Sequence, residues 1–208
     1  MKLHEEVLRI RELLGEEKEQ KIFRVPGLEF FHEDPWEAWK ILQKVLEARG
    51  NPPYSIDGDL NLSDTSIESL GNLTSVEGDL VLLNTSIESL GNLESVGGDL
   101  DLLRTPIESL GNLHSVGGYL DLRRTPIKSL GNLQSVGGWL ILRGTPIESL
   151  GNLISVGENL DLEATPIKSL GNLQSVGGNM DLEGTPLSKK YTEDQIRQMV
   201  KVGGDIIL

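Results

Sequence analysis

The chain has no cysteine. That excludes a disulfide framework, a Cys-ligated zinc and a thiol nucleophile, and it leaves stability to packing alone, as a reducing compartment permits. Histidine is nearly as scarce, with only His4, His32 and His114. His114 falls at a variable turn position, which suits surface tolerance better than a catalytic base. Aromatic residues make up 4% of the chain, so the core must be aliphatic. Basic residues are outnumbered, 19 Lys and Arg against 32 Asp and Glu for a net charge of −13. Neither a phosphate backbone nor an anionic bilayer suits such a chain, so no nucleic-acid and no membrane partner is expected. Basic and neutral partners remain open. No apolar run approaches the length of a membrane helix, and the opening MKLHEEVLRIRELLGEEKEQ lacks the apolar centre of a secretory signal. The chain reads as soluble, without a signal peptide. Phosphate-binding glycine loops and nucleophile elbows are also missing, and no cofactor, no metal site and no catalytic residue is expected. Asp99, Asp101 and Asp121 could gather a hard cation on the surface, and a solvated acidic patch is the preferred reading.

What the chain does have is a repeat. The unit LGNLxSVxGxLxLxxTxIxS recurs with its first leucine at Leu70, Leu90, Leu110, Leu130, Leu150 and Leu170, every 20 residues without slippage, after a partial copy from Ile56. In Tyr119-Leu120-Asp121-Leu122 apolar and polar residues alternate with period two, which predicts one short strand per coil with one buried face. Gly-Gly before it and Gly-Asn after it mark turns, and the spacing leaves no room for a long helix. One coil cannot bury its own apolar side. Stacking places Leu120, Leu122, Ile127, Leu130, Leu133 and Val136 over their equivalents, and each buried aliphatic side chain contributes about 1.5–3 kcal/mol. Thr65, Thr85, Thr105, Thr125, Thr145, Thr165 and Thr185 form a further column, expected to bridge backbone groups of neighbouring coils. The predicted fold is a mainly-β repeat solenoid, a right-handed parallel β-helix with eight short parallel strands in one sheet and α-helical caps at both ends.

Four segments follow: an N-terminal amphipathic helix and linker over 1–21, a helical cap over 22–55, the 20-residue-repeat solenoid over 56–187, and a C-terminal cap helix with the final strand over 188–208. Leu3, Val7, Ile10 and Leu14 have the spacing of a coiled-coil seam, so the expected state is a monomer or a weak oligomer through this helix. Asp34-Pro35-Trp36-Glu37 starts the front cap helix, with Trp36, Trp39, Ile41, Leu42, Val45 and Leu46 on its apolar side. Thr192 with Gln195 predicts a second capped helix bearing Ile196, Met199 and Val200, after which Val202 to Leu208 repeats the strand motif.

Core and turn positions scarcely change between coils, whereas outward strand positions change almost every time. The first outward column runs Asp59, Asp79, Asp99, Tyr119, Trp139, Asn159, Asn179, Asp205, and the second Asn61, Val81, Asp101, Asp121, Ile141, Asp161, Asp181, Ile207. Arg123 and Arg143 follow the central strands, with Arg124 beside them. Aromatic residues and arginine are the commonest interface anchors, so Tyr119, Trp139, Ile141, Arg123, Arg124 and Arg143 are the predicted binding residues. Large side chains on a sheet also pair across strands for stability, and mutation separates the two roles.

The phrase LxLxxTxIxxLxxL resembles the leucine-rich repeat, with threonine where that family usually has asparagine. The Val-Gly-Gly-x-Leu-x-Leu run is similar to the coils of receptor L domains, and the offset of Val116 favours that variant. The resemblance covers about three quarters of the chain. The phrases TPLSKKYTEDQIRQMV and MKLHEEVLRIRELLG also resemble short leucine-rich repeat proteins of large tailed bacteriophages, which implies a host-cytoplasmic or virion-associated location. The family implies recognition of a protein or glycan by the exposed sheet face, without enzymatic activity. The alternative is a structural or assembly component whose solenoid is a spacer and whose N-terminal helix is a packaging tag.

Overall fold

The computed structural model describes residues 22–28 and 34–208. The N-terminal helix and linker expected over 1–21 lie outside the described residues. The rest is a parallel β-solenoid with two sheets, where the repeat pattern predicts one strand per coil and one sheet. The eight expected strands form one of them, the leucine sheet: Leu60–Asn61, Leu80–Val81, Leu100–Asp101, Leu120–Asp121, Leu140–Ile141, Leu160–Asp161, Met180–Asp181 and Ile206–Ile207. They pair in strict register, Leu140 lying between Leu120 and Leu160. The Ser-Val dipeptide ahead of the glycines forms the other, the valine sheet, in which Ser135–Val136 lies between Ser115–Val116 and Ser155–Val156. The buried residues here, Leu133 and Val136, lie three apart, so period-two patterning gives no sign of these strands.

The two sheets meet at the glycine corner, where the coils come closest. A Cβ built on Gly137 would lie 2.1 Å from the carbonyl oxygen of Gly117, and one on Gly117 2.0 Å from that of Gly97. The bare backbone lets the N–H of Gly137 donate to Val116 O and that of Gly138 to Gly118 O, both at 2.8 Å. Inside, Leu120, Leu122, Ile127, Leu130, Leu133 and Val136 are all buried, as expected. The threonine column behaves differently from the expected inter-coil ladder. Each hydroxyl donates within its own coil to the carbonyl three residues back, Thr125 to Leu122 O at 2.7 Å and Thr145 to Leu142 O at 2.7 Å. Equivalent atoms in the next coil are about 4.8 Å away, beyond hydrogen-bond reach, whereas the carbonyl ahead of the turn is close.

Both ends are covered. Helix α1 (Pro35–Glu47) starts at Asp34, whose Oδ1 accepts from the N–H groups of Trp36 and Glu37 at 2.9 and 3.0 Å. It lays Ala38, Trp39, Leu42 and Leu46 on the core, with Trp36 half-buried beside them. Ile41, expected on the apolar side, is 37% exposed because it falls off that stripe. Beneath Trp39, the Tyr54 hydroxyl donates to Leu70 O at 2.8 Å. A further strand, Phe23–Val25, pairs with Tyr54–Ile56 and extends the valine sheet. At the far end α2 (Pro186–Lys190) and α3 (Glu193–Met199) leave the coil path, the latter with the reciprocal Thr192–Gln195 cap. Ile196 and Val200 are buried, while Met199 points to solvent. The chain then rejoins both sheets, Val202 beside Val176 and Ile206 beside Met180. Among the described residues, no helix is long and apolar enough to cross a membrane.

The corner contact can be weighed against plain backbone strain. Gly111 has φ +56 with nothing within 4 Å of a built Cβ, so Gly111→Ala should cost about 1 kcal/mol and lower Tm by about 2–4 °C. Gly137→Ala must move the backbone of a neighbouring coil and should lower Tm by about 6–12 °C. Thermal melts of the two variants, ranked in that order, check the corner.

Candidate functional site

The outward face of the leucine sheet is built from two sets of side-chain caps. In the first column each Asp or Asn accepts from the N–H of its successor one coil on. Asp79 N–H donates to Asp59 Oδ1 at 2.9 Å, Asp99 to Asp79 at 2.8 Å and Tyr119 to Asp99 at 2.8 Å. After a gap, Asn179 N–H donates to Asn159 Oδ1 at 2.7 Å and Asp205 to Asn179 at 2.9 Å. The N–H entering each strand points back at the previous coil, and a short acceptor side chain reaches it. Tyr119 and Trp139 carry no acceptor at that place, so the N–H groups of Trp139 and Asn159 lose this bond. In the second column Asp101, Asp121, Asp161 and Asp181 accept from the N–H two residues on at 2.9–3.0 Å, forming Asx turns. Ile141 lacks that cap, as do Val81 and Ile207 at the same place in other coils. Much of the acid that flanks the centre of the sheet is therefore structural.

Tyr119, Trp139 and Ile141 lie together in two adjacent coils. They line a groove of about 560 Å³ with Asp99, Asp101, Asp121, Arg123 and Glu158. Trp139 is 48% exposed over it. Of the six predicted residues, Tyr119, Trp139, Ile141 and Arg123 share this groove. Arg124 and Arg143 line a second one with Arg104, Glu163 and the far side of Arg123. Two guanidinium groups are already engaged: Arg123 Nε lies 3.0 Å from both carboxylate oxygens of buried Asp121, and Arg143 pairs with Glu163. Arg104 and Arg124 sit in the turn at φ 61 and 60, the left-handed conformation that Gly144 and Gly184 adopt in other coils. For a side-chain-bearing residue that conformation is disfavoured by about 1–2 kcal/mol.

Glu158 is a groove residue that the sequence reading missed, although the pattern carries a signal. It breaks the Gly-Gly corner, standing where Gly98, Gly118, Gly138 and Gly178 stand in other coils. A Cβ on Gly118 would lie 1.9 Å from Asp99 Oδ1, and one on Gly178 2.2 Å from Asn159 Oδ1. The coil before Glu158 carries Trp139 instead and has no such oxygen. Glu158 N–H still reaches Gly138 O at 3.2 Å, within the 2.8–3.3 Å that the equivalent bonds span in other coils. Trp139 thus removes one obstacle to a side chain at 158.

No family description, curated protein or solved structure matches the chain. The leucine-rich-repeat and bacteriophage resemblances stand on their motifs alone.

The field in the groove is negative. Burial raises the Tyr119 hydroxyl pKa first, and the charges of Asp101, Asp99, Asp121 and Asp79 raise it further. Burial also raises Asp101, with the Leu103 N–H opposing, Asp121 adding to the rise and Arg123 offsetting part of it. Farther along the sheet, Asp161, Glu163 and Asp181 bring one oxygen each within 4.8 Å of one another. Arg143 already meets Glu163, and both aspartates hold backbone N–H groups. Asp161 is raised above its ordinary 3.8 by burial and, after the opposing Glu163 N–H, by Asp181. A carboxyl raised in the folded state favours folding while protonated, and that contribution is lost as pH climbs through the raised value. Asp161→Asn keeps the Oδ1 acceptor and removes the charge. The variant should melt about 1–3 °C higher at pH 7, and the gain should vanish as pH falls toward 3.8. Melting curves across pH check the sign.

Proposed function

We propose that this chain is a non-enzymatic recognition module that binds a protein or glycan through the outward face of its leucine sheet. Tyr119, Trp139, Ile141 and Arg123 form one contact groove, and Arg124 and Arg143 an adjoining basic edge. The interruption of the cap ladder at Tyr119 and Trp139 carries this reading. Five bonds of one kind join the first column elsewhere, and each such bond is worth about 1 kcal/mol. A scaffold selected for stability alone would keep an acceptor at those two places. Two bulky rings stand there instead, in adjacent coils, beside an aliphatic residue that lacks a second cap and a glutamate in a glycine corner. Both departures from the first-column ladder fall in one groove, which is the pattern of a contact surface, and aromatic residues and arginine are its usual anchors. The groove aspartates support binding over catalysis, since Asp99 and Asp101 each have an oxygen held by a backbone N–H. The resemblance to leucine-rich repeats implies the same use of the sheet face.

Restoring the repeat tests the proposal. Tyr119→Asn, Trp139→Asn and Glu158→Gly together re-create the ladder; the third change is needed because an Asn oxygen at 139 would meet the Glu158 Cβ. The triple variant should melt about 2–5 °C higher than the parent. Immobilised, it should lose the partner that the parent retains, while a Gln134→Ala variant on the valine sheet keeps it. A triple variant that melts lower would make the rings structural and overturn the proposal.

A further inference from the structure

The aromatic groove has a charge as well as a shape. Four carboxylates, Asp99, Asp101, Asp121 and Glu158, line it against one cation, Arg123. That cation is not available to a ligand or to the rings, because its guanidinium is clamped on Asp121. Subtracting this internal pair leaves Asp99, Asp101 and Glu158 facing the groove. Asp99 and Asp101 each spend Oδ1 on a backbone N–H, of Tyr119 and Leu103 respectively, which leaves Oδ2 for the groove. The Glu158 carboxylate has no hydrogen-bond or ion-pair partner among the described residues. The exposed rings also lack a cation: elsewhere Lys40 covers Trp36, Arg49 covers Phe23 and Lys190 covers Tyr191, but among the described residues none covers Tyr119 or Trp139.

We infer that this groove receives a basic side chain, an arginine or lysine on an extended segment of a partner protein, with its cation over the Trp139 ring and among Asp99, Asp101 and Glu158. The inference rests on the recognition reading above and specifies its partner. Ring face and carboxylates act in the same direction on a cation, since an aromatic face is the negative part of its quadrupole. An anion is opposed by both. A neutral sugar would stack on the rings but would leave the carboxylates facing one another. A cation relieves that repulsion and the burial cost of the Asp101 carboxylate beside it.

The Trp139 indole N–H resonance, identified by its loss in Trp139→Phe, reads the groove directly by NMR. Three probes are titrated: a blocked Gly-Arg-Gly-Arg-Gly peptide, a blocked Gly-Glu-Gly-Glu-Gly peptide and cellopentaose. The expected result is a saturable shift with the arginine peptide alone. Asp101→Asn with Glu158→Gln keeps the Asx turn and the side-chain sizes, and should weaken that binding about tenfold. No shift with any probe, an equal shift with the acidic peptide, or an affinity indifferent to the two neutralised carboxylates would overturn the inference. A response to cellopentaose in place of the arginine peptide would overturn it too, while leaving the sheet face as a recognition surface. A repeat-restored triple variant of lower stability would defeat both.

Discussion

The backbone contact at the glycine corner is the constraint from which the rest follows. With a carbonyl about 2 Å from where a Cβ would sit on Gly117, Gly137, Gly157 and Gly177, each coil can rest on the last only in one register. That register puts leucine over leucine and valine over valine, so that short two-residue strands, individually negligible, become two sheets that run the length of the molecule. It also explains where the chain is allowed to vary in length. The only long departure among the described coils is the pair of helices from Pro186 to Met199, and the chain returns from it to the same glycine corner at Gly203 and Gly204.

A second consequence concerns charge. Because coils repeat in register, identical acidic residues stack, and stacked carboxylates repel. The aspartates are kept because their oxygens do what the main chain cannot, accepting N–H groups at the start of each strand and in the turn after it. Their charge is incidental to that role, and asparagine replaces aspartate at Asn159 and Asn179 without loss of the bond. The first column thus has a default state, capped and polar, against which Tyr119 and Trp139 stand out, with Ile141 and Glu158 beside them.

How much was legible beforehand follows from what repeats. The period, the six core columns, the leucine strands and the Thr192–Gln195 cap all recur or carry a local motif, and all can be read from the chain. The valine strands were hidden by the lack of any period-two alternation around Ser-Val, and the direction of the threonine hydrogen bonds by the lack of any sequence sign for which carbonyl lies nearest. Phe23–Val25 could not be inferred, since it pairs with a segment about thirty residues away through a contact that no pattern announces. Within the site, Tyr119, Trp139 and Ile141 are brought to one groove because strand positions in adjacent coils are neighbours. Arg123, in the turn beyond the strand, joins them by pairing with Asp121, whereas Arg143 at the same place one coil on pairs with Glu163 and lines the other groove with Arg124. The structural duty of the aspartates was illegible, since composition does not say which oxygen meets which N–H one coil away.

The central claim is that the surface was made by giving up caps, and amide hydrogen exchange measures this bond by bond. The backbone N–H groups of Asp79, Asp99, Tyr119, Asn179 and Asp205 have a side-chain acceptor in the preceding coil. Those of Trp139 and Asn159 occupy the same place in their coils without one. The expected result is that Trp139 and Asn159 exchange about tenfold faster than Tyr119 and Asn179, their neighbours in the same sheet. Equal protection along the whole column would contradict it.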